Sequence, residues 1–245
     1  MFEHFVSFTE MTTHAIFSAF RPPVRIKESF QQLYFVANQS LIIIVFCVCF
    51  AAMVTILESS FHMRLVVQND SMVPGFAAML ILRELGAVVT ALLLTSRVGA
   101  GIAAEVGLMQ TTEQIDALKM LGIDPVQYLV LPRLFACIFG GMILTIVADL
   151  VCIYSAMLVS DMYLGFSPAM FISGMRRFVH FKDLIFSVIK GASFGVVIPL
   201  VSCHFGFRCK SGAEGVGLAT TNSVVTSSIV IIIIDFVLSY LFTHF

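Results

Sequence analysis

Five long apolar stretches, separated by more polar segments, dominate the pattern of hydrophobic and polar positions along the chain. A helix needs about 20 apolar residues to cross the hydrocarbon core of a bilayer. The five stretches meet that requirement and cover residues 33–57, 73–96, 134–158, 184–206 and 223–243. The pattern therefore predicts an all-α integral membrane protein with five transmembrane helices.

The segment 1–28 has a different pattern, with isolated aromatic residues instead of a continuous apolar run. These residues are Phe2, Phe5, Phe8, Phe17 and Phe20. Their spacing is close to one face of a helix, so we expect an amphipathic N-terminal helix lying in the membrane interface. The alternative is a frayed tail. No basic residue precedes Arg21, which argues against a secretory signal.

The composition supports a membrane protein and excludes several other classes. Hydrophobic residues make up 59% of the 245 residues and charged residues only 12%, whereas a soluble domain has about 25% charged residues. The net charge of -1 gives no positive excess for binding nucleic acid. The sequence contains no internal repeat and no low-complexity linker, so residues 1–245 are expected to form a single domain.

Neither the cysteines nor the histidines form a metal or catalytic motif. Cys47 and Cys49 share one span with a C-x-C spacing that suits neither zinc nor redox chemistry. At least four of the six cysteines lie in apolar runs, where a thiol behaves as a small hydrophobic group. The histidines lie near span ends or termini, without an H-E-x-x-H motif. We therefore expect no metal site and no intramembrane enzyme.

The distribution of basic residues predicts how the spans are oriented. With the N-terminus in the cytoplasm, eight lysines and arginines fall on the cytoplasmic side and four on the outer side. The first set is Arg21, Arg25, Lys27, Arg97, Lys119, Arg133, Arg208 and Lys210, and the second is Arg64, Arg176, Arg177 and Lys182. By the positive-inside rule, the N-terminus is expected in the cytoplasm and the C-terminus on the outer side.

Arg83 and Glu84 are the only charged residues between Val73 and Ser96. Charges this deep in a span are costly and usually face a bundle interior or a water-filled cavity. Adjacent residues on a helix point about 100° apart, so Arg83 and Glu84 are expected to have separate partners. Asp235 lies at a similar depth in the fifth span, which makes it the candidate partner of Arg83.

Asp149 and Lys190 form a second candidate pair. With the predicted orientation, both lie in the outer half of the membrane, within about two helical turns of each other. The buried charges can be interpreted in two ways. They line a transport pathway, or they make satisfied polar contacts that hold the bundle together and contribute about 0.6 to 2 kcal/mol each.

The connection between the second and third spans contains an amphipathic pattern over residues 107–121. Ile115 and Leu121 belong to a narrow apolar stripe, and Thr111 with Gln114 matches a capping box. The segment is expected to form one helix at the cytoplasmic face. Such a helix suits either a docking element for a soluble partner or a plain connection.

Four long motifs connect the chain with a known family. They are LRELGAVVTALLLTSRVGAGIAAEVGLMQTTEQIDAL from residue 82, LGIDPVQYLVLPR from 121, GAEGVGLATTNSVV from 212 and IIDFVLS from 233. With these motifs the chain resembles the MlaE-type permeases, the membrane subunits of ABC transporters that work with MCE-domain proteins. The resemblance covers most of the chain from Gln32 onward.

The resemblance implies a homodimer in the bacterial inner membrane, with a lipid cavity between the two copies and a periplasmic C-terminus. It also implies that residues 107–121 form the coupling helix, which docks on a P-loop ATPase subunit. Candidate coupling residues are Glu105, Gly107, Thr111, Thr112, Glu113 and Gln114. The family moves phospholipids or related lipids between the inner membrane and a periplasmic MCE-protein assembly, which maintains the lipid asymmetry of the outer membrane.

Charged family positions tied to transport match charged residues of this chain. These are Arg83, Glu84, Lys190 and Asp235. The resemblance places Arg83 in the lipid cavity, beside a lipid head group. Asp149 matches the aspartate of the family pattern A-D-x-x-G-x-x-G and is a fifth candidate, although Cys152 and Ser155 replace its glycines. Gln31 stands where family members carry an arginine.

The chain contains no G-x-x-x-x-G-K-[ST] motif, so it is not expected to bind ATP by a P-loop. A separate subunit would bind ATP and Mg²⁺, and this chain would be a permease subunit, not an enzyme. The alternative is an ion-coupled secondary transporter with Asp149, Lys190 and Asp235 as a proton relay. The lack of an inverted repeat and of paired broken helices weighs against that alternative.

Overall fold

The computed structural model describes residues 8–15, 26–66, 72–210 and 212–244. These residues form helices and short connections without a strand. Five helical runs are long and apolar enough to cross a membrane, so the predicted all-α class with five spans is confirmed. A short helix over residues 8–15 represents the predicted N-terminal helix. The other parts of that segment before α2, residues 1–7 and 16–25, lie outside the described residues.

Ten α-helices form within the described residues. They are α1 (residues 8–15), α2 (Ile26–Val66), α3 (Val73–Leu80), α4 (Gly86–Leu94), α5 (Ala100–Thr111), α6 (Gln114–Met120), α7 (Leu131–Leu164), α8 (Pro168–Phe178), α9 (Phe181–Phe207) and α10 (Gly212–His244). Three wide π-helical turns cover Ile81–Leu85, Thr95–Gly99 and Val126–Val130. The first two join α3, α4 and α5 into one helical run, Val73–Thr111, and the third leads into α7.

The membrane-crossing helices are longer than the apolar stretches that predicted them. The first predicted span, 33–57, lies inside α2, and the fifth, 223–243, lies inside α10, which begins at Gly212. Hydropathy detects only the apolar centre of such a helix. The more polar ends keep helical backbone hydrogen bonds and extend the helix beyond the length that a hydrocarbon core requires.

Residues 107–121 do not form the single helix predicted from their amphipathic pattern. α5 ends at Thr111, Glu113 adopts a left-handed conformation with φ of 59°, and α6 follows. The predicted capping box is wrong, because Thr111 Oγ1 donates to Leu108 O at 3.0 Å instead of capping α6. The Thr112 hydroxyl bonds to the same carbonyl. Such local bonds compete with the helical pattern and end α5 here.

The hydropathy pattern gives no indication of α8, because its 11 residues are too few for a span. Ser167 precedes it and accepts a hydrogen bond from the Met170 N–H at 3.4 Å, which caps the first turn. α8 approaches α3 closely. A Cβ placed on Gly75 would overlap the Phe178 ring, so this contact requires glycine.

The chain divides into two compact units. The first consists of Met1–Ser40, Leu92–Gly141 and Ala192–Ile234, and the second of Leu41–Ala91, Met142–Gly191 and Asp235–Phe245. The division falls within helices, so α2, α4, α7, α9 and α10 each contribute to both units. All five charged residues predicted to line a pathway belong to the second unit: Arg83, Glu84, Asp149, Lys190 and Asp235.

Small residues allow close packing of α9 within the first unit. A Cβ on Gly195 would overlap the Cys137 carbonyl of α7, and one on Gly206 would lie 2.7 Å from Val106 of α5. On the side of α10, Ser223 Oγ donates to Ser202 Oγ at 2.9 Å. Close backbone approach and interhelical hydrogen bonds are the contacts that hold helices together in lipid.

Candidate functional site

Arg83 and Glu84 lie in the wide turn Ile81–Leu85, between α3 and α4. The Gly86 N–H donates to Ile81 O, five residues back, and closes this turn. Such turns insert one extra residue into a helix and occur frequently at functional sites. Both charged side chains remain partly accessible, with 33% of Arg83 and 45% of Glu84 exposed.

Lys190 is the centre of one ionic cluster in the second unit. Its Nζ is fully buried and lies 2.8 Å from Glu84 Oε2 and 2.6 Å from Asp235 Oδ1. The same nitrogen donates to Ser239 Oγ at 2.8 Å and to Arg83 O at 2.9 Å. Ser239 in turn donates to Glu84 Oε1 at 2.9 Å. Two carboxyl groups face one ammonium, and the three hydrogen bonds use all the donors of that ammonium.

Arg83 belongs to a second ionic contact. Its Nε donates to Asp183 Oδ1 at 2.7 Å, and only 1% of the Asp183 side chain is exposed. The other Asp183 oxygen accepts from the His180 N–H at 2.8 Å, at the start of α9. Among the described residues, Nη1 and Nη2 of Arg83 have no hydrogen-bond partner. One edge of the guanidinium is therefore available to an anion.

Two aromatic rings connect Arg83 with the Lys190 cluster. The Arg83 guanidinium lies 5.2 Å from the centre of the Phe242 ring, within the range of a cation–π contact. Phe242 stacks on Phe186 with their centres 4.1 Å apart. The Phe186 ring in turn lies 4.9 Å from Lys190 Nζ. Both cations are thus placed against apolar surface that excludes water from one side.

The prediction that Asp235 is the partner of Arg83 is wrong. Arg83 binds Asp183, and Asp235 binds Lys190. Depth along a span predicts the level of a side chain but not the direction in which it points. The wide turn also adds a residue at this place and changes that direction. The separation of Arg83 and Glu84 onto different partners is confirmed.

The prediction that Asp149 pairs with Lys190 is also wrong. Asp149 accepts a hydrogen bond from Ser187 Oγ at 2.7 Å. Its other carboxylate oxygen lies against the backbone of Gly86, where a Cβ would overlap it. Asp149 therefore joins α7 to α9 and to the start of α4, whereas Lys190 is occupied by other partners.

Sequence reasoning missed Asp183, Ser239 and Phe242. Asp183 precedes Lys190 by seven residues, and Ser239 follows Asp235 by four. Both spacings place the two residues on one helix face, so this signal could have found them. Asp183 escaped because it directly precedes the apolar run that defines the fourth span.

The predicted coupling residues differ in their exposure. Glu105 binds the buried Arg133, with 2.9 Å between Glu105 Oε2 and Arg133 Nη2. Gly107 is buried, and a Cβ there would contact Cys209 at 3.5 Å. Thr111 is half-buried. The exposed members are Glu105, Thr112, Glu113 and Gln114.

The end of α6 adds apolar residues to this exposed group. Met120 is 89% exposed and Leu121 is 75% exposed, whereas Ile115 is buried. Of the predicted apolar stripe, Ile115 anchors the short helix and Leu121 faces outward. An exposed apolar end beside polar residues is typical of a surface that binds another protein.

Comparison with known proteins identifies relatives along most of the chain. The family model described as Permease MlaE matches residues 29–241. A protein named probable ABC transporter permease protein from Rickettsia conorii is 34% identical over 236 residues, which are 96% of this chain and 91% of the relative. A Synechocystis protein with the same description is 39% identical over 167 residues, 68% of this chain and 64% of the relative.

A plant protein shares the same region. The Arabidopsis thaliana protein named TRIGALACTOSYLDIACYLGLYCEROL 1, chloroplastic, is 39% identical over 168 residues, 69% of this chain and 48% of the relative. The region matched by the family model contains Arg83, Asp183 and Lys190 with all the ionic partners described above. The chain thus belongs to the MlaE permease family and is a permease subunit of an ABC transporter.

Proposed function

We propose that this permease moves a phospholipid or a related lipid between the bacterial inner membrane and a periplasmic MCE-protein assembly, and so maintains the lipid asymmetry of the outer membrane. The observation that carries this proposal is the partly exposed side chain of Arg83. Its Nη1 and Nη2 have no hydrogen-bond partner among the described residues. The name of the Arabidopsis relative contains the name of a galactolipid, which supports a lipid as cargo.

Arg83 would bind the phosphate of the lipid head group. A guanidinium offers two parallel N–H donors to a phosphate, and such charge-assisted pairs are strong. Asp183 holds Nε, and Phe242 lies beside the guanidinium carbon. These contacts fix the side chain before the lipid arrives, so little side-chain entropy is lost on binding.

The Lys190 cluster would position Arg83 without contacting the lipid. Lys190 Nζ bonds directly to the carbonyl of Arg83, and its other contacts tie Glu84 to α10. An ammonium that is fully buried and fully hydrogen-bonded has no donor left for a head group. Its loss would release the turn that carries Arg83.

A partner subunit would supply the energy. In the proposal, a P-loop ATPase binds ATP and Mg²⁺ and docks on α6 and the residues before it. The exposed residues Thr112, Glu113, Gln114, Met120 and Leu121 support this site. ATP-driven closure of that subunit would shift the helical run Val73–Thr111, which carries both the docking end and Arg83.

A second copy of the chain would complete the lipid cavity. In the most apolar part of α10 only 11% of the residues are buried within the chain, and in that of α2 only 28%. Both helices therefore present apolar faces to lipid or to another copy. The larger number of lysines and arginines on the predicted cytoplasmic side supports a cytoplasmic N-terminus and a periplasmic C-terminus in the inner membrane.

The proposal is tested by reconstitution. The permease is purified with its native ATPase and MCE-domain partners and placed in liposomes, and ATP-dependent transfer of labelled phospholipid is measured. Arg83→Ala should lower the transfer rate by about tenfold or more, because a charge-assisted contact contributes about 1.5–3 kcal/mol. Arg176→Ala is the control, since Arg176 is exposed on α8 outside both clusters. Unchanged transfer by Arg83→Ala, together with unchanged growth of cells on detergent, would contradict the role of Arg83.

The ion-coupled alternative receives less support. It requires a proton relay through Asp149, Lys190 and Asp235. Asp149, however, bonds to Ser187 and forms no ion pair with Lys190 among the described residues. Transport that stops on collapse of the proton gradient, yet continues without ATP, would favour this alternative.

A further inference from the structure

Three buried polar residues form one stripe on α9. Asp183, Ser187 and Lys190 follow one another at spacings of four and three residues, which places them on one face of the helix. None of the three is more than 1% exposed. The stripe belongs to the second unit, as do Arg83 and Glu84. Polar groups in an apolar bundle are costly unless they form hydrogen bonds, so the partners of this stripe show what it holds in place.

The two outer members of the stripe bind the wide turn Ile81–Leu85 directly. Asp183 accepts from Arg83 Nε at 2.7 Å. Lys190 donates to Arg83 O at 2.9 Å and to Glu84 Oε2 at 2.8 Å. The side chain and the backbone of Arg83 are thus held by two residues on the same face of α9.

The middle member, Ser187, is connected to the turn through Asp149 of α7. Ser187 Oγ donates to Asp149 Oδ2 at 2.7 Å. Asp149 Oδ1 lies against Gly86, whose N–H closes the turn by donating to Ile81 O. A Cβ on Gly86 would overlap Oδ1 and lie 3.6 Å from Ile81 O. The Asp149 carboxyl group therefore packs beside the hydrogen bond that closes the turn.

We propose that Asp149 is a positioning residue for Arg83, because it fixes the wide turn at Gly86 and so sets where the free edge of the guanidinium lies. The inference rests on the proposed role of Arg83 in binding a lipid head group. Asp149 is only 4% exposed, so it acts on that site without contacting the lipid. Wide turns are much rarer than ordinary α-helical turns, and a buried contact at the closing residue favours the wide form.

Asp149 fills this role without using its charge. Among the described residues it forms no ion pair, and its Oδ1 accepts no hydrogen bond. The charged and acidic side chains of the two ionic contacts bind one another, Arg83 with Asp183 and Lys190 with Glu84 and Asp235. The contact thus needs an acceptor toward Ser187 and a small planar group toward Gly86. The amide of an asparagine meets both requirements.

The first test detects the position of Arg83 without measuring transport. The permease, purified in complex with its native partners, is treated with phenylglyoxal, which reacts with accessible guanidinium groups. Mass spectrometry of the peptides then gives the labelling rate of each arginine. Asp149→Ala should raise the labelling rate of Arg83 several-fold, because the released turn no longer holds this side chain against Asp183. Asp149→Asn should keep a labelling rate close to that of the wild type.

Two further variants control this test. Ser187→Ala removes a single hydroxyl group and should also raise the labelling of Arg83, so the result does not depend on how Asp149→Ala folds. Asp161→Ala is the matched control, since Asp161 is an exposed aspartate of α7 in the same unit. Labelling of Arg83 at the wild-type rate in both Asp149→Ala and Ser187→Ala would overturn the proposal.

The second test asks whether Asp149 acts through Arg83. ATP-dependent transfer of labelled phospholipid is measured in liposomes of rising phospholipid content. Asp149→Ala should raise the KM for lipid by about tenfold and leave kcat nearly unchanged, because a displaced Arg83 binds the head group less well. Partial unfolding would instead lower kcat. In the Arg83→Ala background, Asp149→Ala should have little further effect, since residues that act through one another are not additive.

The variants separate this inference from its alternatives. An equal effect of Asp149→Ala with and without Arg83 would overturn the positioning role. A loss of transfer in Asp149→Asn as large as in Asp149→Ala would also overturn it, because the charge or the proton of Asp149 would then be required. If Arg83→Ala transfers lipid with the wild-type KM, the proposed role of Arg83 fails, whereas the labelling of Arg83 still decides whether Asp149 positions it.

Discussion

Asp183 and Arg83 are 100 residues apart in sequence, yet Arg83 Nε donates to Asp183 Oδ1 at 2.7 Å. The second oxygen of the same buried carboxylate accepts from the His180 N–H at 2.8 Å. One side chain therefore both begins α9 and fixes the residue proposed to bind lipid. Because Asp183 has both roles, its replacement is a more informative test than replacement of Arg83.

Replacement of Asp183 should therefore impair both stability and transport. Asp183→Ala removes both hydrogen bonds and should lower the free energy of unfolding by about 1–3 kcal/mol, with a smaller rate of lipid transfer. Asp183→Asn keeps a side-chain oxygen as acceptor and should retain more of the stability. Thermal unfolding in detergent measures the first effect. Melting of Asp183→Ala at the wild-type temperature would show that the contact contributes nothing.

Removal of Lys190 should destabilise the protein strongly. Lys190→Ala leaves Glu84 and Asp235 facing each other without the ammonium between them, and breaking a buried ionic cluster costs about 3–5 kcal/mol. The triple variant Lys190→Met, Glu84→Gln, Asp235→Asn removes all three charges and should recover much of that loss. The melting temperatures of both variants test this effect of charge. An equal loss of melting temperature in the two variants would disprove it.

Gly86 should not tolerate a side chain. A Cβ there would overlap the Asp149 carboxylate, and overpacking of this kind costs about 1–3 kcal/mol. Gly101 is the matched control, because a Cβ on it meets no atom within 4 Å and α5 is helical there. Gly101→Ala should be neutral or stabilise by about 0.4–1 kcal/mol. Equal melting of the two alanine variants would show that the close approach of Asp149 is unimportant.

The exposed end of α6 should be needed for binding the ATPase. Met120→Glu places a charge on an apolar surface and should reduce the amount of ATPase that co-purifies by about tenfold. Met162→Glu is the control, because Met162 is 76% exposed near the far end of α7. Undiminished co-purification with Met120→Glu would place the docking surface elsewhere.

The number of spans could be predicted from the sequence because crossing a bilayer requires a long apolar run, and that requirement acts on each segment independently. Arg83 and Glu84 were also correctly assigned to separate partners, since this follows from local helix geometry alone. These features depend on neighbouring positions in the chain, where the sequence carries the information directly.

The identity of the ionic partners could not be predicted in the same way. It depends on how each helix is rotated about its axis, and the wide turn Ile81–Leu85 changes that rotation at the residues in question. The break at Glu113 depends on two threonine hydroxyls that bond backward to Leu108 O. In both places a competing local contact overrides the regular α-helical pattern.

The wide turn at Ile81–Leu85 makes the chain sensitive to its length at this point. Deleting one residue there would convert the turn into ordinary α-helix and rotate everything beyond it by about 100°. Glu84 and the carbonyl of Arg83 would then no longer meet Lys190 together, and a buried ammonium would lose two of its acceptors. Apolar substitutions in this stretch are therefore expected to survive selection far more often than insertions or deletions of a single codon.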